Sequence, residues 1–565
     1  CGYSRDSRDA SLRLIDRRLH CACELHQYLK ITRAFFMHRS DASTFDFIIV
    51  GAGSAGSVLA NKLSENGRYS VLLLEQGKSD SSALLTMPKG FGAVLAGNTY
   101  VSRYSVTRGA NEPSNEVWLR GKTLGGSSSV NGMIWIRPQP EGFSALARAG
   151  GDAWSWPRME PCFRALDGAD SGDGIMSINT HTNQYAITQA FIESSCATGL
   201  PRHDRMTEMG QRGVGFLHFN IDRKGKRRSA AGAFLKPLRR RANVRIETNT
   251  RADRLVFEGK RATSVICHSE GREITHTARR EILLCAGTLE SPQILQRSGI
   301  GPAALLEELG IPVIHANARV GANLREHLLL GISFEVKSWA DTENRQYSGF
   351  PLVRNVLRYF MTGKGPMAQS PCNAVAFIRS DERLNTPDIQ LLFSPFSREG
   401  NDFSKSPGIS VAGHPMYPKS TGEISIRSSD PGVAPLIKPH YLSDDYDRQR
   451  GIAAVRRIRD IAAQPPLASK LLREMSSSAA AQTDEEILDL YRMNGTPGFH
   501  ATGTCAMGRD SASSVVDGNT RVHGVDGVRV VDCSIYPEML AGVTNASIMA
   551  VAMRAADMIL EELRA

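Results

Sequence analysis

"FDFIIVGAGSAGSVLANKLSENG" (45–67) reads as strand, glycine turn and helix in one run. Phe47 to Val50 is a short continuous apolar run, the mark of a strand buried in a parallel sheet. Gly51, Gly53 and Gly56 then give G-x-G-x-x-G between a strand and a helix, where that spacing carries meaning. Gly51 permits the tight turn, Gly53 lets backbone approach a pyrophosphate, and Gly56 lets helix and strand pack closely. Ser54 and Ala55 open the helix, whose N-terminus offers free N–H groups and the positive end of its dipole. Val58, Leu59 and Leu63 keep helical spacing, and Gly67 closes it. "SVLLLEQG" (70–77) is the second buried strand, completing a βαβ unit of about thirty residues. Glu75 ends that strand, 19 residues after Gly56. A carboxylate there accepts the ribose hydroxyls of an adenosine and repels a 2′-phosphate, so NADP is disfavoured. Between NAD and FAD this pattern does not decide.

Outward from the fingerprint, the chain is too long for one small core. Its 565 residues allow about three domains, or two large interleaved ones. "VRIETNT", "TSVICHS", "NAVAFIRS", "DIQLLFSP" and "GEISIRSS" alternate like antiparallel strands. Helical spacing returns at "AALLEELG" (303–310), "DRQRGIAAVRRIRDIAA" and "NASIMAVAMRAADMILEELRA". The expected fold class is α/β (α+β overall). A Rossmann-like nucleotide-binding domain would span 45–160, 225–330 and 495–565. A mostly antiparallel substrate-binding domain, 161–224 and 331–494, would be interleaved with it.

Residues 1–44 differ in character from the rest of the chain. They hold eight Lys or Arg against five Asp or Glu and no apolar run, so they do not read as a secretory signal, and their acids argue against a transit peptide. Met37 is the expected start of translation, with residues 1–36 an upstream or disordered segment. No run of 18 apolar residues exists, so no transmembrane segment is expected. Ten scattered cysteines lack zinc spacing and do not form a disulfide framework. No metal is expected, and the setting reads as reduced. The net charge of +10 includes "RKGKRRSAAGAFLKPLRRR" (223–241). Without interleaved aromatics this reads as a solvated basic face, and no nucleic-acid partner is expected.

Two longer stretches settle the cofactor question. "RGKTLGGSSSVNGMIWIRP" (120–138) and "GTLESPQILQRSGIG" (287–301) resemble the two signatures of the glucose–methanol–choline (GMC) flavoprotein oxidoreductases. "VGANLREH" (320–327), "PLIKPHYLS" (435–443), "HATGTCAMG" (500–508) and "VRVVDCSIYPEMLAGVTNASIM" (528–549) come in the family's order. The resemblance implies FAD along Gly51, Gly53, Ser54, Ala55, Gly56 and Glu75. It continues along Gly121, Thr123, Gly125, Gly126, Ser127, Asn131, Gly132 and Met133, with Ala252 and Asp532 further on. The isoalloxazine is expected near Asn131, Gly132 and Asn545. Some relatives attach FAD through a histidine just before that asparagine. Val130 stands there, so non-covalent FAD is expected.

The resemblance also implies that His500 and Asn545 are catalytic. Oxidising a carbinol needs its hydroxyl proton removed, and a histidine is suited to that task. An amide can donate to the developing alkoxide. The flavin N5 accepts the hydride. The expected reaction is FAD-dependent oxidation of a small-molecule alcohol to an aldehyde or ketone. The acceptor is oxygen or a quinone-like carrier, in a cytoplasmic, bacterial setting. Alternatives on the same scaffold are a hydroxynitrile lyase, a fatty-acid photodecarboxylase-like enzyme and a non-catalytic flavoprotein partner. Photodecarboxylation would need more than Cys372: Leu392 stands where that branch has an arginine, and His500 where it has an asparagine. Arg325-Glu326 before His327 and "EGFSALARAG" (141–150) depart from the family pattern. The latter is expected beside the substrate mouth. Phe499 and Pro497 either line an apolar substrate wall or shape the entry turn to His500.

Overall fold

The computed structural model describes residues 44–109, 116–168, 174–180, 185–206, 212–400 and 402–564. The leader expected up to residue 44 therefore lies outside the described residues, save Thr44 itself.

The strands of the two large sheets, in chain order, are β1 Thr44–Val50, β2 Val71–Leu74, β3 Gly213–Phe216, β4 Val244–Glu247, β5 Thr250–Glu258, β6 Arg261–Ser269 and β7 Arg272–Leu284. They continue as β8 Leu328–Val336, β9 Ala374–Ile378, β10 Ile389–Ser394, β11 Gly408–Pro415, β12 Leu471–Glu474, β13 Thr496–Pro497 and β14 Val528–Val530. Five helices bear on the site and its surroundings: α1 Ser54–Leu63, α2 Phe143–Gly150, α3 Gly349–Thr362, α4 Asp445–Ala462 and α5 Thr544–Glu562.

The first sheet runs β4-β2-β1-β7-β6-β5, with β14 on β7. Its β4, β2, β1, β7 and β14 are parallel, as the buried apolar runs of β1 and β2 predict. The antiparallel pairs β7-β6 and β6-β5 extend one edge. "VRIETNT" is thus a correction. Its β4 is parallel to β2, not antiparallel, because Val71 and Val244 start in register. Alternation alone does not report strand direction. Helices α1 and α5 pack together against this sheet, and their apolar faces join its core.

The second sheet runs β12-β8-β11-β10-β9-β3, with β13 on β8. Every pairing in it is antiparallel. Helix α4 covers one face, burying Ala454, Val455, Ile458 and Ile461 with Leu391 and Phe393. "NAVAFIRS" and "DIQLLFSP" are central strands here. "GEISIRSS" instead forms a separate pair, Glu423–Ser425 on Leu436–Lys438.

Among the described residues no helix is long and apolar enough to cross a membrane. None of their groups of His, Cys, Asp or Glu could hold a metal ion. The seven described cysteines are all free thiols.

Candidate active site

A cleft of about 440 Å³ opens where strand β1 meets α1. Gly51, Gly53, Ser54, Ala55 and Glu75 line it from the first βαβ turn. Gly121, Gly126, Ser127, Asn131, Gly132 and Met133 line it from the second glycine-rich loop. Ala252 joins them from β5, and His500, Asp532 and Asn545 from the C-terminal segment. Gly56, Thr123 and Gly125 do not reach the cleft. A Cβ on Gly56 would lie 1.9 Å from the Gly51 carbonyl oxygen, so this glycine serves helix–strand contact. Thr123 is buried, and its hydroxyl donates to the Lys78 carbonyl at 2.9 Å. Gly125 donates its N–H to the Ala52 carbonyl at 2.8 Å, docking the second loop on the first.

The donors and the space fit a dinucleotide. A Cβ on Gly53 would meet nothing within 4 Å, so the backbone there faces open cleft. Gly51 has φ +100°, the left-handed region that a side chain resists. Helix α1 has no side-chain cap at Gly53, so its N-terminal amides remain available for an anion. The Glu75 carboxylate accepts from Ala52 N at 3.1 Å and Gly77 N at 2.8 Å. Burial pushes its pKa up to about 7, against those two N–H groups and Lys122. Asp532 accepts from Gly287 N at 2.9 Å, Ser291 Oγ at 2.5 Å and Ser534 N at 2.8 Å.

Asn131 is fixed by a residue that sequence reading missed. Its Oδ1 accepts from Met133 N at 3.0 Å and from Arg227 Nη1 at 2.8 Å. Arg227 is buried and also donates to the carbonyls of Leu85 and Ser128. It belongs to 223–241, expected as a solvated face. That expectation fails for Arg227, because three backbone and side-chain acceptors replace its water. Burial lowers its pKa to about 9.

Strand pairing brings His500 to its partners. Leu328 of β8 opposes Pro497 of β13, and Gly498 N donates to the His327 carbonyl at 2.8 Å. The two Nδ1 atoms of His327 and His500 lie 2.9 Å apart. His327 Nε2 lies 3.1 Å from the Met416 carbonyl oxygen. A carbonyl can only accept, so Nε2 carries the proton. Burial, with His414 and His500 close by, holds the His327 pKa well below the usual value, so the ring is neutral. Its Nδ1 is then an acceptor, and His500 Nδ1 must be the donor. Burial, His414 and Arg120 lower the His500 pKa to about 3. A neutral His500 protonated on Nδ1 keeps its free lone pair on Nε2.

Glu326 holds the same loop. Its Oε1 accepts from His500 N at 2.7 Å and His327 N at 2.9 Å. Arg120 lies 3.7 Å from its other oxygen and donates to the Phe499 carbonyl at 2.9 Å. Burial raises the Glu326 carboxyl to about 7, while Arg120 and the backbone amides of His500, His327 and Ala501 pull it down. The Arg325-Glu326 departure thus has a structural use. Arg325 donates to the Pro418 carbonyl at 2.7 Å, and Glu326 braces the histidine loop.

Asn545 sits in the first turn of α5, and Ser54 in the first turn of α1. The Ser54 hydroxyl donates to Asn545 Oδ1 at 2.8 Å. This leaves Asn545 Nδ2 as a buried donor without a protein partner. Around the pair the walls are apolar: Met133, Ile134, Leu329, Leu392 and Val543 form one cluster. Phe499 lines the cleft with φ +60°, whereas Pro497 does not line it. The stretch 141–150, expected beside the mouth, supplies no lining residue, because α2 turns Phe143 and Leu146 into the core. Cys372 does not line the cleft, and its Sγ lies 3.4 Å from Ser394 Oγ.

Comparison with known proteins agrees with this architecture. The N-terminal GMC oxidoreductase family model matches residues 45–329, and the C-terminal one matches 418–552. The oxygen-dependent choline dehydrogenase of Serratia proteamaculans is 36% identical over 532 residues, covering 91% of this chain and 95% of its own. That of Ectopseudomonas mendocina is 36% identical, covering 91% and 94%. Pyridoxine 4-oxidase from Mesorbium loti superposes with a TM-score of 0.81 at 30% identity, covering 91% and 99%. An FAD-dependent oxidoreductase from Chaetomium thermophilum gives 0.82 at 25% identity, covering 92% and 100%. The cofactor is FAD, and the protein is a flavoprotein oxidoreductase. The chain belongs to the GMC oxidoreductase family.

Proposed function

We propose that the protein oxidises an alcohol whose remainder is apolar and uncharged, giving an aldehyde or ketone. The observation that carries this reading is the pairing of His500 and Asn545 in one cleft with complementary free atoms. His500 offers an unprotonated Nε2 lone pair, and Asn545 offers an unpartnered N–H. His500 takes the hydroxyl proton at Nε2. Asn545 Nδ2 donates to the substrate oxygen and stabilises its developing negative charge. Bound FAD supplies the hydride acceptor, and Val130 offers no nucleophile, which supports non-covalent binding. The residues proposed to hold it are Gly53, Ser54 and the α1 amides at the pyrophosphate, Glu75 at the ribose, and the Gly121–Met133 loop at the ring.

The choline dehydrogenases and the pyridoxine oxidase act on choline and pyridoxine. Here the apolar side chains Leu329, Leu392 and Val543 beside the pair favour a neutral hydrocarbon group over a quaternary ammonium. Anaerobic titration of the yellow protein with 1-octanol, benzyl alcohol and choline tests this. Bleaching by the first two and not by choline is expected. Bleaching by choline alone would overturn the substrate class. Resistance to every alcohol, with cyanide released from a cyanohydrin, would overturn the reaction. Admitting air to the reduced protein then reports whether oxygen accepts the electrons.

A further inference from the structure

Helix α3 presents an apolar face that no described residue covers. Phe350, Val353, Leu357, Phe360 and Met361 are 77%, 56%, 57%, 61% and 78% exposed. Helical spacing puts all five within an arc of about 100°. Asn355 and Tyr359 point the other way and are buried. The outward face is therefore not a misplaced core face, because the helix already has a core face of its own. Five large apolar side chains in one stripe exceed the scattered exposure normal for a surface.

Charge identifies what the stripe meets. The helix, "GFPLVRNVLRYFMT", contains no acidic residue. Arg354 and Arg358 border one edge of the stripe, and Lys364 lies just past its C-terminus; all three are exposed. No ion pair of theirs is found among the described residues. Apolar rings and branched chains flanked by unpaired cations complement a bilayer whose headgroups are anionic. A second copy of the same face would instead bring cations against cations.

The helix also adjoins the cleft. Its inner face packs Tyr359 with Met87 and Met367. Phe91 and Leu95 come soon after Met87, Pro371 soon after Met367, and all three line the cleft. We propose that α3 docks the protein peripherally on an anionic membrane surface, inserting Phe350, Val353, Leu357, Phe360 and Met361. An apolar alcohol or a lipid-soluble acceptor would then lie in the same phase that the anchor enters. The docking itself does not depend on how His500 is read.

The test is sedimentation of the full-length, FAD-loaded protein with vesicles of phosphatidylcholine, with and without phosphatidylglycerol. Binding is expected on the anionic vesicles, weakening as salt rises. Leu357→Ser/Phe360→Ser/Met361→Ser should abolish it while bound FAD is retained. Arg354→Glu/Arg358→Glu should lower partitioning onto anionic vesicles about tenfold or more. Failure of the parent protein to bind, or equal binding by the triple variant, would overturn the proposal. So would a dimer in solution that the triple variant converts to monomer without any vesicle binding, since a second copy would then own the face.

Discussion

His327 and His500 meet Nδ1 to Nδ1 at 2.9 Å, and the Met416 carbonyl behind them decides which ring carries the shared proton. The chain of three groups fixes a tautomer without any charged residue in line. His500→Ala should keep FAD but slow its anaerobic reduction by roughly 10²–10⁴. His327→Leu removes the acceptor for the Nδ1 proton and should slow reduction about tenfold or more through misorientation. Stopped-flow absorbance reads both. Parent-like reduction by the His500 variant would sink the base assignment.

Burial pushes the Glu326 carboxyl up to about 7 and, with His414 and Arg120, brings His500 down to about 3. His500 is therefore unprotonated throughout the ordinary working range and supplies no break there. Above about pH 7 Glu326 is ionised, and its hydrogen bonds from the backbone N–H groups of His500 and His327 become charge-assisted, holding the histidine loop more firmly. The reduction rate should rise with pH through about 7 and then level. Glu326→Gln should stay on the low limb with the break gone. A break that survives this substitution would assign it elsewhere.

Gly53 and Gly126 answer differently to a side chain. A Cβ on Gly53 enters open cleft, so Gly53→Val should fold and yet purify colourless. A Cβ on Gly126 would lie 2.7 Å from Gly53 Cα at φ +52°, so Gly126→Val should lower the melting temperature as well. Visible absorbance of the bound flavin and thermal melts separate the two. A yellow Gly53→Val protein would contradict the proposed pyrophosphate site.

Ser54 acts through Asn545. Ser54→Ala frees the amide to rotate and should lower the reduction rate several-fold. Asn545→Ala should lower it by about 10²–10³, the loss typical of one oxyanion donor. In the Asn545→Ala background, Ser54→Ala should add little. Additive losses in the double variant would show that Ser54 works on its own.

The nucleotide half of this fold was legible because its signals are local. Gly51, Gly53 and Gly56 differ in backbone angle, open space and contact, as turn chemistry requires. Buried strands β1 and β2 announced themselves as apolar runs. Direction was not legible for β4, since its partner β2 lies far away in sequence. Arg227 was invisible for a related reason: a buried arginine and a solvated one look alike until the acceptors around it are known. Glu326 stood out only as a departure, and its use emerged once β8 and β13 were paired. The tautomer chain rests on a backbone carbonyl, which no side-chain pattern reports.

The hydrogen bond from Ser54 to Asn545 joins residues 491 apart in sequence. The turn that starts the nucleotide domain is completed by the helix that ends it. A nascent chain can form βαβ early, but it holds an unfinished site until α5 docks. Loss of α5 should therefore uncover the core face of the first sheet and leave no working flavoenzyme. Nascent chains that still lack α5 are then chemically silent, so the reactive pair is assembled only once that helix has been made and docked.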